Sequence, residues 1–157
     1  MDILKISEKE SKLFKHSFQG TVQFSEVDSY GVVHNLKYFY WLEWARTDYL
    51  KALGVNVNPA TFISEHPLMT VHSELDYFSP LKFMDSYIVL SRIEWIKESS
   101  LCFENIILSK NGVISAKGKS ILVNVNPKKG ESTRIEDDLR KLIIDYEKEN
   151  VILKKDN

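Results

Sequence analysis

The stretch between Tyr38 and Leu53 is apolar on nearly every side, and this restricts what the rest of the chain can build around it. Apolar residues recur there at spacings of three and four, which predicts a helix that stops at Gly54. Further aromatic residues occupy its other faces, namely Phe39, Trp41 and Trp44. A helix of this kind is normally buried on most sides, so the remaining chain has to enclose it.

The segments that flank this helix read as β-strands. Phe14–Val27 alternates apolar side chains before the helix, and four strand-like segments follow it between His66 and Val125. The turns between them are short, and the Asn111-Gly112 pair is typical of a tight turn. The last three strands are therefore expected to form an antiparallel meander.

The predicted fold class is α+β, a curved antiparallel β-sheet wrapped around a long central helix, with an extra C-terminal helix. That last helix is expected over about residues 135–149, and a short helical turn over Asn58–Ser64. The length of 157 residues suits a single domain with a core over about residues 14–127. One sheet covers only part of the central helix, so we expect a homodimer, or a tetramer of such dimers.

Composition and charge exclude several classes of protein. The formal net charge is −1, so nothing in the balance calls for nucleic acid or an anionic membrane as a partner. The single cysteine, Cys102, cannot form a disulfide within the chain, and the first residues lack the apolar core of a signal peptide. We therefore expect a cytoplasmic location. The sequence also lacks the motifs of nucleotide-binding loops, serine hydrolases and zinc sites.

The segment that carries chemistry lies just before the central helix. Asp28 begins the turn-like sequence Asp28-Ser29-Tyr30-Gly31, in which Gly31 tolerates a positive φ. One interpretation is that Asp28 only caps this turn or the helix. The other is that Asp28 is a base or nucleophile, because N–H groups at a helix start favour negative charge and a dry channel makes a carboxylate more reactive.

Eight positions of this segment fit the pattern D-x-x-G-V-V-x(4)-Y-x(4)-E-x-A-R, namely Asp28, Gly31, Val32, Val33, Tyr38, Glu43, Ala45 and Arg46. A second block, Y-x-x-P-x(4)-D, fits Tyr77, Pro80 and Asp85. Together the two blocks resemble the signature of the hotdog-fold acyl-CoA thioesterases of the 4-hydroxybenzoyl-CoA thioesterase type. The resemblance extends from about Val22 to Asn126, most of the chain.

This resemblance implies a dimer with two active sites at its interface, which hydrolyses an acyl- or aryl-CoA thioester to free acid and CoA. Asp28 would either attack the thioester carbonyl or deprotonate an attacking water. The oxyanion would bind main-chain N–H groups at the helix start, at the position of Asn35. The residues expected to contact the substrate are Gly31, Val33, Tyr38 and Glu43. Coenzyme A is part of that substrate, and no other cofactor or metal is implied.

Departures from the pattern leave alternatives open. The sequence His34-Asn35-Leu36-Lys37-Tyr38 also resembles a segment of acyl-acyl-carrier-protein thioesterases. His34 is a candidate for orienting the substrate, or a polar residue satisfied at the helix start. Glu43 and Arg46 are expected to form an ion pair or an interface bond that fixes the helix, with a general acid–base role for Glu43 as the alternative. A hotdog hydratase and a non-catalytic acyl-CoA binding protein are the further alternatives.

Overall fold

A computed structural model of the chain describes residues 4–59 and 67–155. The helices in these residues are α1 (Glu8–Ser11), α2 (Asn35–Ala52) and α3 (Asp137–Glu147). The strands are β1 (His16–Thr21), β2 (Leu68–Tyr77), β3 (Ser86–Ile96), β4 (Ser100–Ser109), β5 (Ile114–Asn124) and β6 (Ile152–Leu153). The long helix therefore lies between β1 and a run of strands, as predicted.

The strands form one sheet in the order β1-β3-β4-β5-β2, and all neighbours along this path are antiparallel. β6 adds a short parallel pairing at the end of β3, where Trp95 lies opposite Ile152. The consecutive pairing of β3, β4 and β5 confirms the predicted meander. β2 pairs with β5, from Leu68 to Tyr77, and forms one edge of the sheet within the described residues.

Helix α2 packs on the sheet through the side that its apolar spacing predicts. The residues of that side are all buried: Tyr38, Leu42, Ala45 and Tyr49. Trp41 is fully buried beside them, and its ring stacks on Tyr87 of β3 with 3.9 Å between the ring centroids. The predicted architecture, an antiparallel sheet around a central helix, is confirmed.

The C-terminal part of α2 meets α3 in a second region of the core. Tyr49 packs there with Leu139 and Ile143 of α3. Glu147, the last residue of α3, is fully buried, and its Oε1 accepts hydrogen bonds from the Tyr49 hydroxyl (2.6 Å) and the Ile93 N–H (2.9 Å). Desolvation of this carboxyl raises the pKa of Glu147 above its usual value.

The first strand is shorter than predicted. β1 ends at Thr21 instead of continuing to Val27, because Gln23 and Glu26 form a capping box that turns the chain into a short 3-10 helix. Phe24, which has the same parity as Val22 in the apolar alternation, is 76% exposed as a result, whereas Val22 is fully buried. This change of direction allows the chain to double back before α2 begins.

The ends of both long helices also differ from the prediction. The helix predicted over Tyr38–Leu53 covers Asn35–Ala52, because the side chain of His34 caps an earlier start. The C-terminal helix covers Asp137–Glu147 instead of residues 135–149. The helical turn predicted over Asn58–Ser64 lies mostly outside the described residues. No helix in residues 4–59 and 67–155 is long and apolar enough to cross a membrane.

Candidate active site

Asp28 holds a tight turn and keeps one carboxylate oxygen free. Its Oδ1 accepts a hydrogen bond from the Tyr30 N–H (2.8 Å), and its main-chain oxygen accepts one from the Gly31 N–H (3.0 Å). Gly31 has the positive φ of +73° that its position in the turn predicts. The Oδ2 of Asp28 has no hydrogen-bond partner within the described chain. Asp28 therefore caps the turn through Oδ1, as the first interpretation predicts, and its Oδ2 can still act as a base or nucleophile.

A short hairpin brings this turn to the start of α2. Val27 pairs with Val33 across the hairpin, and the Asp28 N–H donates to the Val32 oxygen (2.9 Å). The Val33 N–H then donates to the Leu81 oxygen (2.8 Å), which ties the hairpin to the segment after β2. Asp28 and the first turn of α2 therefore lie at the same end of the molecule.

The first turn of α2 contains a main-chain donor without an acceptor. His34 is the N-cap, and its Nδ1 accepts a hydrogen bond from the Leu36 N–H (3.2 Å). The main-chain oxygen of His34 accepts another from the Lys37 N–H (2.9 Å). For the Asn35 N–H, no acceptor occurs among residues 4–59 and 67–155. This amide belongs to the positive end of the helix dipole, which suits it to bind an oxyanion.

An apolar cavity of about 300 Å³ opens beside this amide. Its walls come from the start of α2 and the segment after β2: Val33, Asn35, Tyr38, Tyr77, Phe78, Ser79 and Pro80. The polar atoms behind the walls bind one another, since the Ser115 hydroxyl donates to the Ser79 oxygen (2.6 Å) and lies 3.3 Å from the Tyr38 hydroxyl. The cavity is therefore suited to an uncharged acyl group.

Tyr77 was not among the predicted site residues, although it belongs to the second sequence block. Its hydroxyl donates a hydrogen bond to the Asn35 main-chain oxygen (2.9 Å) across the mouth of the cavity. Its ring meets the Tyr38 ring edge-on, with 5.2 Å between centroids and 83° between planes. Desolvation raises the pKa of Tyr77, so the hydroxyl stays protonated near neutral pH. Tyr77 thus links the edge strand to the first turn of α2.

The predicted site residues divide into three groups. Val33, Asn35 and Tyr38 line the cavity, whereas Asp28 and Gly31 form the turn on the other side of the hairpin. His34 is exposed and caps α2, and Glu43 lies further along the helix, outside the cavity.

Of the two bonds predicted for Glu43 and Arg46, the ion pair does not form within the described residues, and the interface bond stays a prediction. These two described residues form neither a hydrogen bond nor an ion pair with each other; Arg46 is half-buried and Glu43 is exposed. Burial lowers the pKa of Arg46, and the charge of Glu43 offsets part of that effect. No group of three or more His, Cys, Asp or Glu side chains able to hold a metal occurs in the described part of the chain.

Comparison with known proteins gives the family. A sequence profile of the thioesterase-like superfamily matches residues 22–143. The acyl-CoA thioesterase YbgC of Haemophilus influenzae is 30% identical over 63% of this chain and 73% of its own length. A 1,4-dihydroxy-2-naphthoyl-CoA hydrolase of Prochlorococcus marinus is 32% identical over 68% and 73%. The chloroplastic acyl-acyl carrier protein thioesterase ATL3 of Arabidopsis thaliana is 25% identical over 68% and 57%.

Solved structures agree with this result. A thioesterase from Thermus thermophilus, complexed with coenzyme A and Zn, is 26% identical and has a TM-score of 0.73 over 85% of this chain and 95% of its own. The predicted enzyme class, a thioester hydrolase, is confirmed at the level of the family, and the 4-hydroxybenzoyl-CoA type stays a prediction. The chain belongs to the thioesterase-like superfamily and has the hotdog fold.

Proposed function

We propose that this protein is an acyl-CoA thioesterase whose active site lies at the start of α2. The observation that carries the proposal is the unpaired Asn35 N–H, which lies at the positive end of a long helix and beside an apolar cavity. A donor without an acceptor becomes costly once a ligand displaces its water, and enzymes keep such donors where negative charge develops during a reaction. In thioester hydrolysis that charge develops on the carbonyl oxygen.

Asp28 is the group that starts the reaction. As a base, its free oxygen takes a proton from water while the water oxygen bonds to the thioester carbonyl carbon. The resulting oxyanion binds the Asn35 N–H, and its collapse breaks the C–S bond and releases CoA as the thiolate, which then takes up a proton. As a nucleophile, the same oxygen bonds to the carbonyl carbon, the thiolate leaves, and water hydrolyses the mixed anhydride.

The Asp28 turn supports both routes. The hydrogen bond from the Tyr30 N–H fixes one carboxylate oxygen, so the other is held in one direction instead of rotating freely. His34 is committed through Nδ1 to the helix cap, which argues against the Asp–His pair that a hydratase needs. The proposal therefore needs one carboxylate and main-chain donors, and this suffices for a thioester because the thiolate is a good leaving group.

The cavity supports an uncharged aliphatic or aromatic acyl group as substrate. None of the side chains that line it is charged: Val33, Asn35, Tyr38, Tyr77, Phe78, Ser79 and Pro80. Relatives that act on an acyl-CoA and on a dihydroxynaphthoyl-CoA are consistent with this class. An acyl group on acyl carrier protein is the second candidate, favoured by the ATL3 relative and by the His34–Tyr38 sequence.

A homodimer completes the proposal, and the edge strand β2 is the surface that supports it. Nearly all of its ten residues are exposed, among them Met69 and Val71, which are 59% and 60% exposed. A long exposed edge strand is a template for pairing with another strand through its main-chain N–H and C=O groups. Antiparallel pairing of β2 with the same strand of a second copy would place Leu68 of the partner subunit near Tyr77, at the mouth of the cavity.

That arrangement also suggests a site for the phosphates of CoA. Leu68 pairs with Asn124, and the exposed Lys128 and Lys129 lie in the turn that follows. In the proposed dimer, these two lysines reach the partner's active site instead of their own. Cationic side chains at this place would bind the phosphates while the acyl group enters the cavity.

The test is thiol release from acetyl-, palmitoyl- and benzoyl-CoA and from an acyl carrier protein carrying the same acyl groups. Asp28→Asn keeps an oxygen that accepts from the Tyr30 N–H but cannot act as base or nucleophile, so kcat should fall ~10²-fold or more. Asp85→Asn is the matched control, because Asp85 also accepts a main-chain N–H in an exposed turn (Lys82, 2.8 Å).

Each result leads to a distinct conclusion. Loss of turnover in Asp28→Asn with normal turnover in Asp85→Asn supports the catalytic role. Equal activity of Asp28→Asn and wild type would exclude Asp28 as base and nucleophile. Turnover of the carrier-protein esters alone would select the second candidate over acyl-CoA.

A further inference from the structure

A carboxylate that the reaction proposed above does not use is buried against the N-terminal half of α2. Glu26 is 5% exposed and ends the short 3-10 helix Phe24–Glu26. The part of the chain that the structure describes gives it no ion-pair partner. Taking an unpaired charge out of water is costly, so a protein keeps such a group only where hydrogen bonds offset the cost.

Two N–H donors meet this carboxylate, one at each oxygen. Its Oε2 accepts a hydrogen bond from the Gln23 main-chain N–H (2.8 Å), and its Oε1 accepts one from the indole N–H of Trp41 (2.8 Å). Glu26 is also absent from the walls of the cavity beside Asn35. It is therefore poorly placed to act as base or nucleophile, and its role lies in what it holds in place.

The indole that Glu26 binds is fixed by two other rings. Trp41 is fully buried, and it stacks on Tyr87 with 3.9 Å between centroids and 13° between planes. The Tyr38 ring lies 5.0 Å from it. Desolvation, together with the nearby charge of Glu26, raises the pKa of Tyr87 above its usual value. Glu26 thus ties the segment that precedes Asp28 to a rigid part of the core.

The main chain of Glu26 closes the hairpin that carries Asp28. Its oxygen accepts a hydrogen bond from the His34 N–H (2.9 Å). Asp28 lies two residues after Glu26 on one side of this bond. On the other side, Asn35 directly follows His34. The proposed base and the proposed oxyanion donor are therefore joined through one link, and the Glu26 side chain anchors that link to Trp41.

We propose that Glu26 is a positioning residue, whose buried carboxylate holds Asp28 and the Asn35 N–H at the separation that thioester hydrolysis needs. This inference rests on the function proposed above. Glu26 itself touches no substrate and transfers no proton. It acts through main-chain geometry, because a displacement of about 1 Å between reacting groups can cost about 100-fold in rate.

The first experiment compares two buried carboxylates by steady-state thiol release from acetyl- and benzoyl-CoA. In Glu26→Gln the amide has one oxygen and one NH2 group, so it meets one of the two N–H donors with another donor. We expect kcat to fall about 10- to 100-fold with KM little changed, by the same factor for both esters, because the acyl cavity is untouched. Glu147→Gln is the matched control and should keep wild-type kcat, since both hydrogen bonds there go to one oxygen, at the far end of α2.

The second experiment separates positioning from a general loss of stability. In the Asp28→Asn background, Glu26→Gln should lower kcat by a smaller factor than in wild type, because one of the groups that it positions is already missing. A defect in stability alone would lower both backgrounds by the same factor. Where Glu26→Gln does not fold, Trp41→Phe takes its place, since it removes one donor and keeps both the carboxylate and an aromatic ring against Tyr87.

The outcomes distinguish this proposal from the one on which it rests. Wild-type kcat in Glu26→Gln or its substitute, an equal loss in Glu147→Gln, or the same factor of loss in the Asp28→Asn background would each overturn the positioning role and leave the role of Asp28 intact. Full turnover in Asp28→Asn alone would overturn the role of Asp28, and the positioning role with it.

Discussion

The hydrogen bond from Tyr77 to the main chain of Asn35 leads to a quantitative prediction about catalysis. Tyr77→Phe removes this 2.9 Å bond and keeps the ring that lines the cavity and meets Tyr38. The bond holds the first turn of α2, and with it the Asn35 N–H, in place for the oxyanion. A hydrogen bond of this kind contributes about 0.5–1.5 kcal/mol net. If that contribution is lost from the transition state, kcat falls about 2- to 13-fold.

The assay is steady-state thiol release by wild type, Tyr77→Phe and the control Tyr30→Phe, since Tyr30 is 88% exposed. We expect kcat to fall in Tyr77→Phe while KM changes little, since the ring still contacts the acyl group. The loss should be the same across neutral pH, because the raised pKa of Tyr77 keeps its hydroxyl protonated there. A higher KM with unchanged kcat would refute the positioning role and leave Tyr77 as cavity wall only.

Three further predictions concern the dimer, the core and the cysteine. The double variant Lys128→Glu, Lys129→Glu should raise KM for acyl-CoA but not for the acyl-pantetheine, which lacks the phosphates of the nucleotide. In a mixed dimer with Asp28→Asn, the site that keeps Asp28 receives its lysines from the other subunit, so a low KM should return. Glu147→Gln keeps both accepted hydrogen bonds without a charge. Because the pKa of Glu147 is raised, its contribution to the free energy of unfolding is complete below about pH 4.5 and is lost as the pH rises through the folded-state pKa. In urea unfolding, Glu147→Gln should therefore gain stability relative to wild type, and the gain should be larger at about pH 8 than at about pH 4.5. An equal difference at both pH values would contradict this. Burial raises the pKa of Cys102 to about 12, so a disulfide reagent should label it only after denaturation, and labelling of the native protein would show that the thiol is accessible.

Much of the fold was predictable because its determinants are local. The period of the apolar residues predicted the buried side of α2, and strands β2 to β5 lie within the region from His66 to Val125 where four strand-like segments were expected. The Asp28–Gly31 turn followed from residue types that favour local hydrogen bonds. Each of these features depends on neighbours within a few residues, so the sequence pattern carries them.

The features that the sequence did not predict depend on contacts between distant segments. β1 stops early because the Glu26 carboxylate binds both the Gln23 N–H and the indole of Trp41 (2.8 Å each), and Trp41 lies beyond the first turn of α2. The link between Tyr77 and Asn35 joins residues that the topology alone brings together. The apolar period alone began the helix at Tyr38, because the cap, His34, is not one of the residue types that usually mark a helix start.

The sheet order described above also has a consequence for how the chain folds. β3, β4 and β5 pair with their sequence neighbours, whereas β1 reaches β3 only across the whole of α2, and β2 reaches β5 across two strands. Closing a long loop costs conformational entropy before the contacts that offset this cost can form. The β3–β4–β5 unit, whose loops are short, is therefore expected to form first. α2 would then dock on a preformed platform, with β1 and β2 closing the edges last. High φ-values in β4 and low ones in β1 would report this order, and the reverse pattern would contradict it.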